Sequence, residues 1–257
     1  MKIKDFLKET NGSYILEKVL NKDKTWLFLH DDLEVPKEAV EILRKVKSGY
    51  PVEYIFEEVW FYGDRFYIKE GVLIPRDDTE VVLERAIKLI NEKCKTKSEK
   101  CKIVDCCTGS GVIAIEIAKH TNAKVIATDI SDTAIEVAEK NIALHNVDVE
   151  VKKCDLLKCE GEEIKADILV SNPPYVENSW QKPNVYEPDL AFYGGDDGLD
   201  IVKELILKAK DLKYKAAVIE IGYNQKNLLS EFLKDKAESF EFFNDLAGNV
   251  RGIEIIF

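Results

Sequence analysis

Residues 104–114 read VDCCTGSGVIA: an apolar start, a turn bent by two glycines, then a helical apolar pattern. Gly109 and Gly111 let backbone and ligand approach closely, and the start of the following helix presents unpaired N–H groups. Gly109-x-Gly111-x-x-Ala114 also satisfies the spacing of a dinucleotide fingerprint, and Asp129 follows where a ribose hydroxyl would be read. On this stretch alone a nicotinamide dinucleotide remains open as the ligand.

Working outward, the same rhythm persists almost to the end of the chain. Before the turn lie a helix, DDTEVVLERAIKLINEK (77–93), in which Asp77 and Glu80 have capping-box spacing, and the strand CKIVDC (101–106). After it come the helix GVIAIEIAKH, the strand KVIATD, a helix from Ser131, its expected N-cap, to Asn146, and the strands VDVEVKK and ADILVS. The helix GLDIVKELILKAKDL, the strand KAAVIEIG and the helix NQKNLLSEFLKDK follow, then two last strands, SFEFFND and RGIEIIF. Alternating strands and helices predict a parallel, doubly wound α/β sheet, and the final strand pair predicts an antiparallel edge on it.

Upstream the pattern differs. Residues 1–54 carry helical signals, with Val40, Leu43 and Val46 at one-turn spacing, and predict a small helical domain. Residues 55–74, within VEYIFEEVWFYGDRFYIKEGVLI, are rich in aromatic and β-branched residues and predict a linking β-hairpin. Residues 75–257 form the expected α/β domain. The lysine-rich NEKCKTKSEK (91–100) reads as a solvated loop.

Composition narrows the classes. The chain has 257 residues, 46% hydrophobic and 33% charged, with no apolar run long enough to cross a membrane. MKIKDFLKET is charged and lacks the apolar core of a secretory signal, so a cytoplasmic location is expected. A formal charge of -11 argues against broad binding to phosphate backbones, so no direct nucleic-acid substrate is expected. Cysteines 94, 101, 106, 107, 154 and 159 form no C-x-x-C pair and have three histidines to assist them, which argues against a zinc site. Cys101, Cys106 and Cys107 are expected as small buried thiols in a reducing compartment.

The strand ADILVS stops at Asn172-Pro173-Pro174-Tyr175. Neither proline can donate to a sheet, so pairing ends there and leaves these residues at the strand exit, where α/β sheets bind ligands. Three features favour S-adenosylmethionine over a dinucleotide. Cys107 occupies the position of the leading glycine that a pyrophosphate needs. Acidic residues close three strands, Asp105, Asp129 and Asp155, a rim suited to a sulfonium and an ammonium. The third is the Asn-Pro-Pro-Tyr exit itself, for which hydride chemistry has no use. An amide or aromatic amine resists alkylation because its lone pair is delocalised. The Asn172 side-chain oxygen and the Pro173 carbonyl would grip both its hydrogens, favouring a more tetrahedral nitrogen, while Tyr175 packs on the planar group.

These residues, with LIPRDDTE, EPDLAFYGGDDGLD, IEIGYNQ and DLAGNVRGIEI, make the chain resemble the HemK/PrmC family of peptide chain release factor glutamine methyltransferases. The resemblance runs from about residue 13 to the C-terminus. It implies a Rossmann-like class I methyltransferase sheet and transfer of a methyl from S-adenosylmethionine to the glutamine of the Gly-Gly-Gln motif in class I release factors, with the N-terminal domain helping to hold that partner. It also implies a cofactor site of Cys107, Thr108, Gly109, Ser110, Gly111, Asp129, Leu156 after Asp155, and Asn172, joined by Arg76 and Thr79. Residues Asn172, Pro173, Pro174 and Tyr175 would hold the glutamine. Cys107 and Glu57 stand where the family pattern has glycine. An adenine-specific methyltransferase is the alternative, since adenine offers the same two hydrogens, and a nucleotide-binding sensor without chemistry is a third reading.

Overall fold

The computed structural model describes residues 1–94 and 101–257. Residues 95–100 of the lysine-rich stretch therefore lie outside the described residues, whereas residues 91–93 close a helix. The chain divides into two compact units, Met1–Glu58 and Val59–Phe257.

The first unit is helical: α1 (Ile3–Phe6), α2 (Gly12–Leu20), α3 (Lys24–Leu29), α4 (Lys37–Lys47) and α5 (Val52–Phe56). Its core gathers Ile3, Phe6, Ile15, Leu16, Leu27, Ala39, Leu43 and Val52, with Val40 and Val46 packed at the margin. The one-turn spacing in α4 thus faces this core as expected. α5 departs from the expectation, because the first part of the segment read as a hairpin is a helical turn. Pro51 precedes it with no N–H to satisfy, Val52 and Tyr54 are buried, and the turn ends on Glu57 at φ 53°.

The second unit opens with a short ribbon, β1 (Glu58–Phe61) and β2 (Asp64–Tyr67), joined by Tyr62 and Gly63, both at positive φ. That is the two-residue turn a twisted hairpin favours. α6 (Asp78–Lys93), β3 (Lys102–Cys106), α7 (Val112–His120), β4 (Lys124–Asp129), α8 (Asp132–His145) and β5 (Val149–Lys153) follow. Then come a small unforeseen ribbon, β6 (Lys158–Cys159) with β7 (Glu162–Glu163), and β8 (Ile168–Ser171), α9 (Asp200–Asp211), β9 (Ala216–Glu220), α10 (Lys226–Leu233), β10 (Ser239–Asn244) and β11 (Val250–Ile256).

Seven strands form one sheet in the order β10-β11-β9-β8-β3-β4-β5. The five from β9 to β5 are parallel, while β11 runs antiparallel to β9, and β10 to β11. From β3 the chain builds outward through β4 and β5, then returns to place β8 on the other side of β3. This reversal opens a crevice at the carboxyl end of β3. Alternate strand residues, Val104, Leu169, Ala217, Ile219 and Ile255 among them, share a core with Val202, Leu205 and Ile206 of α9 and Leu229 and Leu233 of α10.

Two local expectations are corrected. Asp77 makes no capping hydrogen bond, and the Glu80 carboxylate instead accepts from the Tyr62 backbone N–H at 2.7 Å, tying α6 to the hairpin turn. The cysteines are not all thiols: Cys94 pairs with Cys101 and Cys154 with Cys159, leaving Cys106 and Cys107 free. Pairing across connections of this kind carries no spacing signal in the sequence. Ser131 does cap α8, accepting from the Ala134 N–H at 3.3 Å. No helix among the described residues is long and apolar enough to cross a membrane.

Candidate functional site

The carboxyl ends of β3, β4, β5 and β8 surround one cavity of about 1130 Å³, including the space open at its mouth. Asp105 on β3 is fully buried beneath the glycine turn. Its Oδ2 accepts from the Thr108 hydroxyl at 2.5 Å and from the Ala114 N–H at 3.1 Å, which holds the turn to the helix behind it. Burial pushes this carboxyl up to about 7 against those two hydrogen bonds. Asp105 does not line the cavity, so it braces the turn and is not part of the acidic rim.

The turn needs unusual backbone at three places: Cys107 at φ 60°, Gly109 at 57° and Gly111 at 83°. A Cβ on Gly111 would meet the Cβ of Ala138 at 3.2 Å, so α8 packs directly on this glycine. Asn141 of α8 adds a hydrogen bond from Nδ2 to the Ser110 carbonyl at 2.8 Å. Asp129, closing β4, receives the Gly109 N–H on Oδ2 and the Ser131 N–H on Oδ1, each at 2.9 Å. Burial raises its pKa while the surrounding N–H groups oppose the rise.

After β5 the chain turns at Leu156, φ 54°, whose carbonyl accepts from the Thr128 hydroxyl at 3.2 Å. The Cys154–Cys159 disulfide closes this loop around Asp155 and Leu156. At the exit of β8, Asn172 donates from Nδ2 to the Thr79 hydroxyl oxygen at 3.2 Å. Pro173 is buried, and the Tyr175 hydroxyl donates to Glu220 Oε1 at 2.9 Å. Burial first, then the nearby Glu220, holds the Tyr175 phenol well above its usual range.

Of the residues singled out in the sequence, Thr79, Cys107, Thr108, Gly109, Ser110, Asp129, Asp155, Leu156, Asn172 and Pro174 line this cavity. Asp105, Gly111, Pro173, Tyr175 and Arg76 do not. Arg76 instead pairs with the buried Glu187, Nη2 to Oε2 at 2.5 Å, and Glu187 Oε1 accepts from the Ile74 N–H at 3.0 Å. That clamp joins the segment around Pro75 to the one around Pro188, both of which border the cavity. Sequence reasoning missed the apolar wall they supply: Val72, Leu73 and Pro75 on one side, Pro188, Leu190 and Ala191 on the other, with Ile130 beside Asp129. Its signal lay in GVLIPR and EPDLAFY, which were informative as blocks but had no chemistry residue by residue.

Residues 81–189 match the family described as Methyltransferase small domain, and residues 7–56 match the PrmC N-terminal domain. A release factor glutamine methyltransferase of Clostridium acetobutylicum is 34% identical, over 92% of this chain and 91% of that protein. One of Clostridium botulinum is 35% identical, over 96% and 93%.

The chain belongs to the release factor glutamine methyltransferase family. It is therefore a methyltransferase, and its sheet is the class I methyltransferase sheet, Rossmann-like with an antiparallel carboxyl-terminal edge. Solved structures share this fold at low identity. The crystal structure of a methyltransferase from Pyrococcus furiosus superposes with a TM-score of 0.56 at 19% identity, covering 83% of this chain and 96% of that one. A structure titled human methyltransferase 10 domain containing protein gives 0.55 at 19%, covering 74% and 89%.

Proposed function

We propose that this methyltransferase uses S-adenosylmethionine to methylate the side-chain amide nitrogen of the glutamine in the Gly-Gly-Gln motif of class I release factors. The observation that carries the reading is that Asn172, at the proline-stopped exit of β8, borders the same cavity as the glycine turn and Asp129. Acceptor seat and donor seat are thus one space.

The cavity wall suits such a cofactor. Among the described residues it holds two carboxylates, Asp129 and Asp155, no lysine or arginine, and a largely apolar lining. A sulfonium with an adenosine gains from that surface, whereas two phosphates would meet only negative charge. Gly109 has open space on its cavity side, with Val72 the nearest side chain at 3.9 Å from where a Cβ would sit. When bound, S-adenosylmethionine supplies an electrophilic methyl carbon. The chain's own residues do the rest: Asn172 Oδ1, on the residue that borders the cavity, accepts from one of the two amide hydrogens, and the proline pair keeps that exit stiff. Asp129 holds the donor's hydroxyl-bearing end. No strong base is required, because an alkylated amide nitrogen is acidic enough to release its proton to water.

The helical unit, residues 1–58, is assigned the holding of the release factor. Its match to the PrmC N-terminal domain supports this, as do Phe28 and Leu29, 76% and 71% exposed on α3.

The test is incubation with a release factor and cofactor labelled on the methyl. Label is expected on the wild-type factor and absent when its Gly-Gly-Gln glutamine is alanine; label that persists there, or label on adenine-containing DNA instead, contradicts the reading. Asn172→Ala is expected to lower kcat by about 100- to 1000-fold, the range for losing one well-placed transition-state hydrogen-bonding group. Its affinity for S-adenosylhomocysteine should stay within a few-fold. Asp129→Ala should do the reverse, weakening that affinity by about tenfold or more, as for a lost charged hydrogen bond.

A further inference from the structure

Residues 172–175 carry the chain from the end of one pairing to the start of the next. Ser171 is the last residue of β8 to pair with β9, opposite Ile219. Val176 is held again, its N–H donating to the Phe192 carbonyl at 3.0 Å and its carbonyl accepting from the Gly194 N–H at 2.9 Å. Between them Pro173 and Pro174 have no N–H to offer. Where Asn172 stands against the cavity therefore depends on what grips the far end of this exit.

The grip comes from Gln225, which caps the start of α10 and is 2% exposed. Its Oε1 accepts from the Gly222 N–H at 2.8 Å, and its Nε2 donates to the Tyr175 carbonyl at 2.8 Å and to the Asp197 carbonyl at 3.2 Å. One acceptor meets a backbone donor and two hydrogens meet two backbone acceptors, so a flipped amide would fail all three partners. The neighbouring glycines leave room for this arrangement. A Cβ on Gly198 would sit 2.2 Å from the Tyr175 oxygen and 2.7 Å from Gln225 Nε2, and one on Gly194 would sit 2.5 Å from the Pro174 oxygen. The Tyr175 hydroxyl donates to Glu220 Oε1 at 2.9 Å, so Tyr175 is held by side chain and backbone alike. Tyr175 does not itself line the cavity, whereas Asn172 and Pro174 just before it do.

The glycine turn has a matching brace. Asn141 of α8, fully buried, accepts from the Tyr67 N–H at 2.7 Å and donates to the Tyr67 and Ser110 carbonyls at 2.9 and 2.8 Å. Each side of the cavity thus leans on one buried amide saturated by backbone.

We propose that Gln225 is a positioning residue of the acceptor seat: by tying the Tyr175 carbonyl to the backbone at Asp197 and Gly222, it fixes the path of residues 172–175 and so the reach of Asn172 into the cavity. This rests on the reading in which Asn172 grips the substrate amide. Gln225 does not line the cavity and acts through the exit it holds.

The experiment compares Gln225→Met, which keeps the length and loses all three hydrogen bonds, with Asn141→Leu, which removes the brace of the glycine turn. Gln225→Met is expected to lower kcat by about tenfold or more, since small displacements of a positioned group cost rates of this order. Its release-factor KM and its S-adenosylhomocysteine dissociation constant should stay within about threefold of wild type, the pattern of an interaction that matters in the transition state. Asn141→Leu should instead weaken S-adenosylhomocysteine. A wild-type kcat in Gln225→Met overturns the proposal. So does a shared profile in which affinity and kcat fall together in both variants, since that would mark the two amides as general supports of the fold.

A second readout needs neither substrate nor variant. In nitrogen-15 spectra of the wild-type protein, the Gln225 side-chain NH2 should exchange with water at least about tenfold more slowly than that of the exposed Gln181. Equal rates overturn the proposal, and this comparison stands if Gln225→Met fails to fold. If the wild-type protein transfers no methyl to glutamine, the functional reading fails; if it does and Gln225→Met matches it, only the role of Gln225 falls.

Discussion

Glu57 and Cys107, which the sequence resemblance marks as standing where glycine is expected, both sit in left-handed backbone, at φ 53° and 60°. The requirement for glycine there is conformational: a side chain in this region costs roughly 1–2 kcal/mol, against about 0.4–1 kcal/mol of extra chain entropy that glycine loses on folding. Glu57 is exposed and ends α5. Glu57→Gly should therefore stabilise the protein by about 0.5–1 kcal/mol, read as a higher urea midpoint with unchanged slope; a lower midpoint would contradict the strain. Glu220 supports a prediction of pH dependence. Burial pushes it up to about 7 against the Thr79 and Tyr175 hydroxyls and Arg251, with Asp78 of α6 adding to the rise. Above about 7 it is a carboxylate, the acceptor for the Tyr175 hydroxyl at 2.9 Å. As pH falls below that, it gains a proton, its hold on the Tyr175 hydroxyl at the strand exit weakens, and kcat should decline. This acid limb should disappear in Glu220→Gln and survive in Asp105→Asn, whose native carboxyl also lies at about 7 but braces the glycine turn. A limb that persists unchanged in Glu220→Gln would assign it elsewhere.

Elements of the α/β unit were legible because their periods are strong. KIVDC, KVIATD and ADILVS are buried strands bounded by turn residues, and Ser131 announces α8 before its first apolar residue. What was not legible depends on partners distant in sequence. Glu80 has the spacing of a capping box, yet its carboxylate serves the hairpin turn at Tyr62, and no local rule foresees that competitor. The end of α5 reads as strand because Ile55 and Phe56 are strand-formers, but burial of Val52 and Tyr54 in five helical residues overrides propensity. The packing of α8 on the glycine turn is of the same kind. Because Gly111 combines φ 83° with an Ala138 Cβ only 3.2 Å from where its own methyl would sit, Gly111→Ala should destabilise by about 2–4 kcal/mol, from backbone strain and overpacking together. Thermal unfolding checks this, and a midpoint equal to wild type would show that α8 can yield.

For the whole molecule, the acceptor motif and the glycine turn were found separately in the sequence, and the strand order is what brings them to one cavity. The apolar wall from residues 72–75 and 188–191 was invisible because it arises only when the Arg76–Glu187 clamp joins two segments more than a hundred residues apart. The two-unit division leads to a further prediction: a chain starting at residue 57 should fold and bind S-adenosylhomocysteine within a few-fold of the full protein, since the described residues lining the cavity begin at residue 71. It should nevertheless methylate a release factor poorly, through a raised KM. Phe28→Asp in the full chain should reproduce part of that rise with cofactor affinity unchanged, and an unaltered KM would remove α3 from the contact. The sheet, finally, is open at both margins, ending in β5 on one side and β10 on the other. Such margins invite a stray strand from another molecule. Here one carries Glu150, Lys152 and Lys153 and the other Glu241, which is engaged by Arg85, so an incoming backbone would have to strip water and counter-charges from each before it could dock. Neutralising both margins should make the protein precipitate at a lower concentration than wild type, long before its fold or its chemistry is affected.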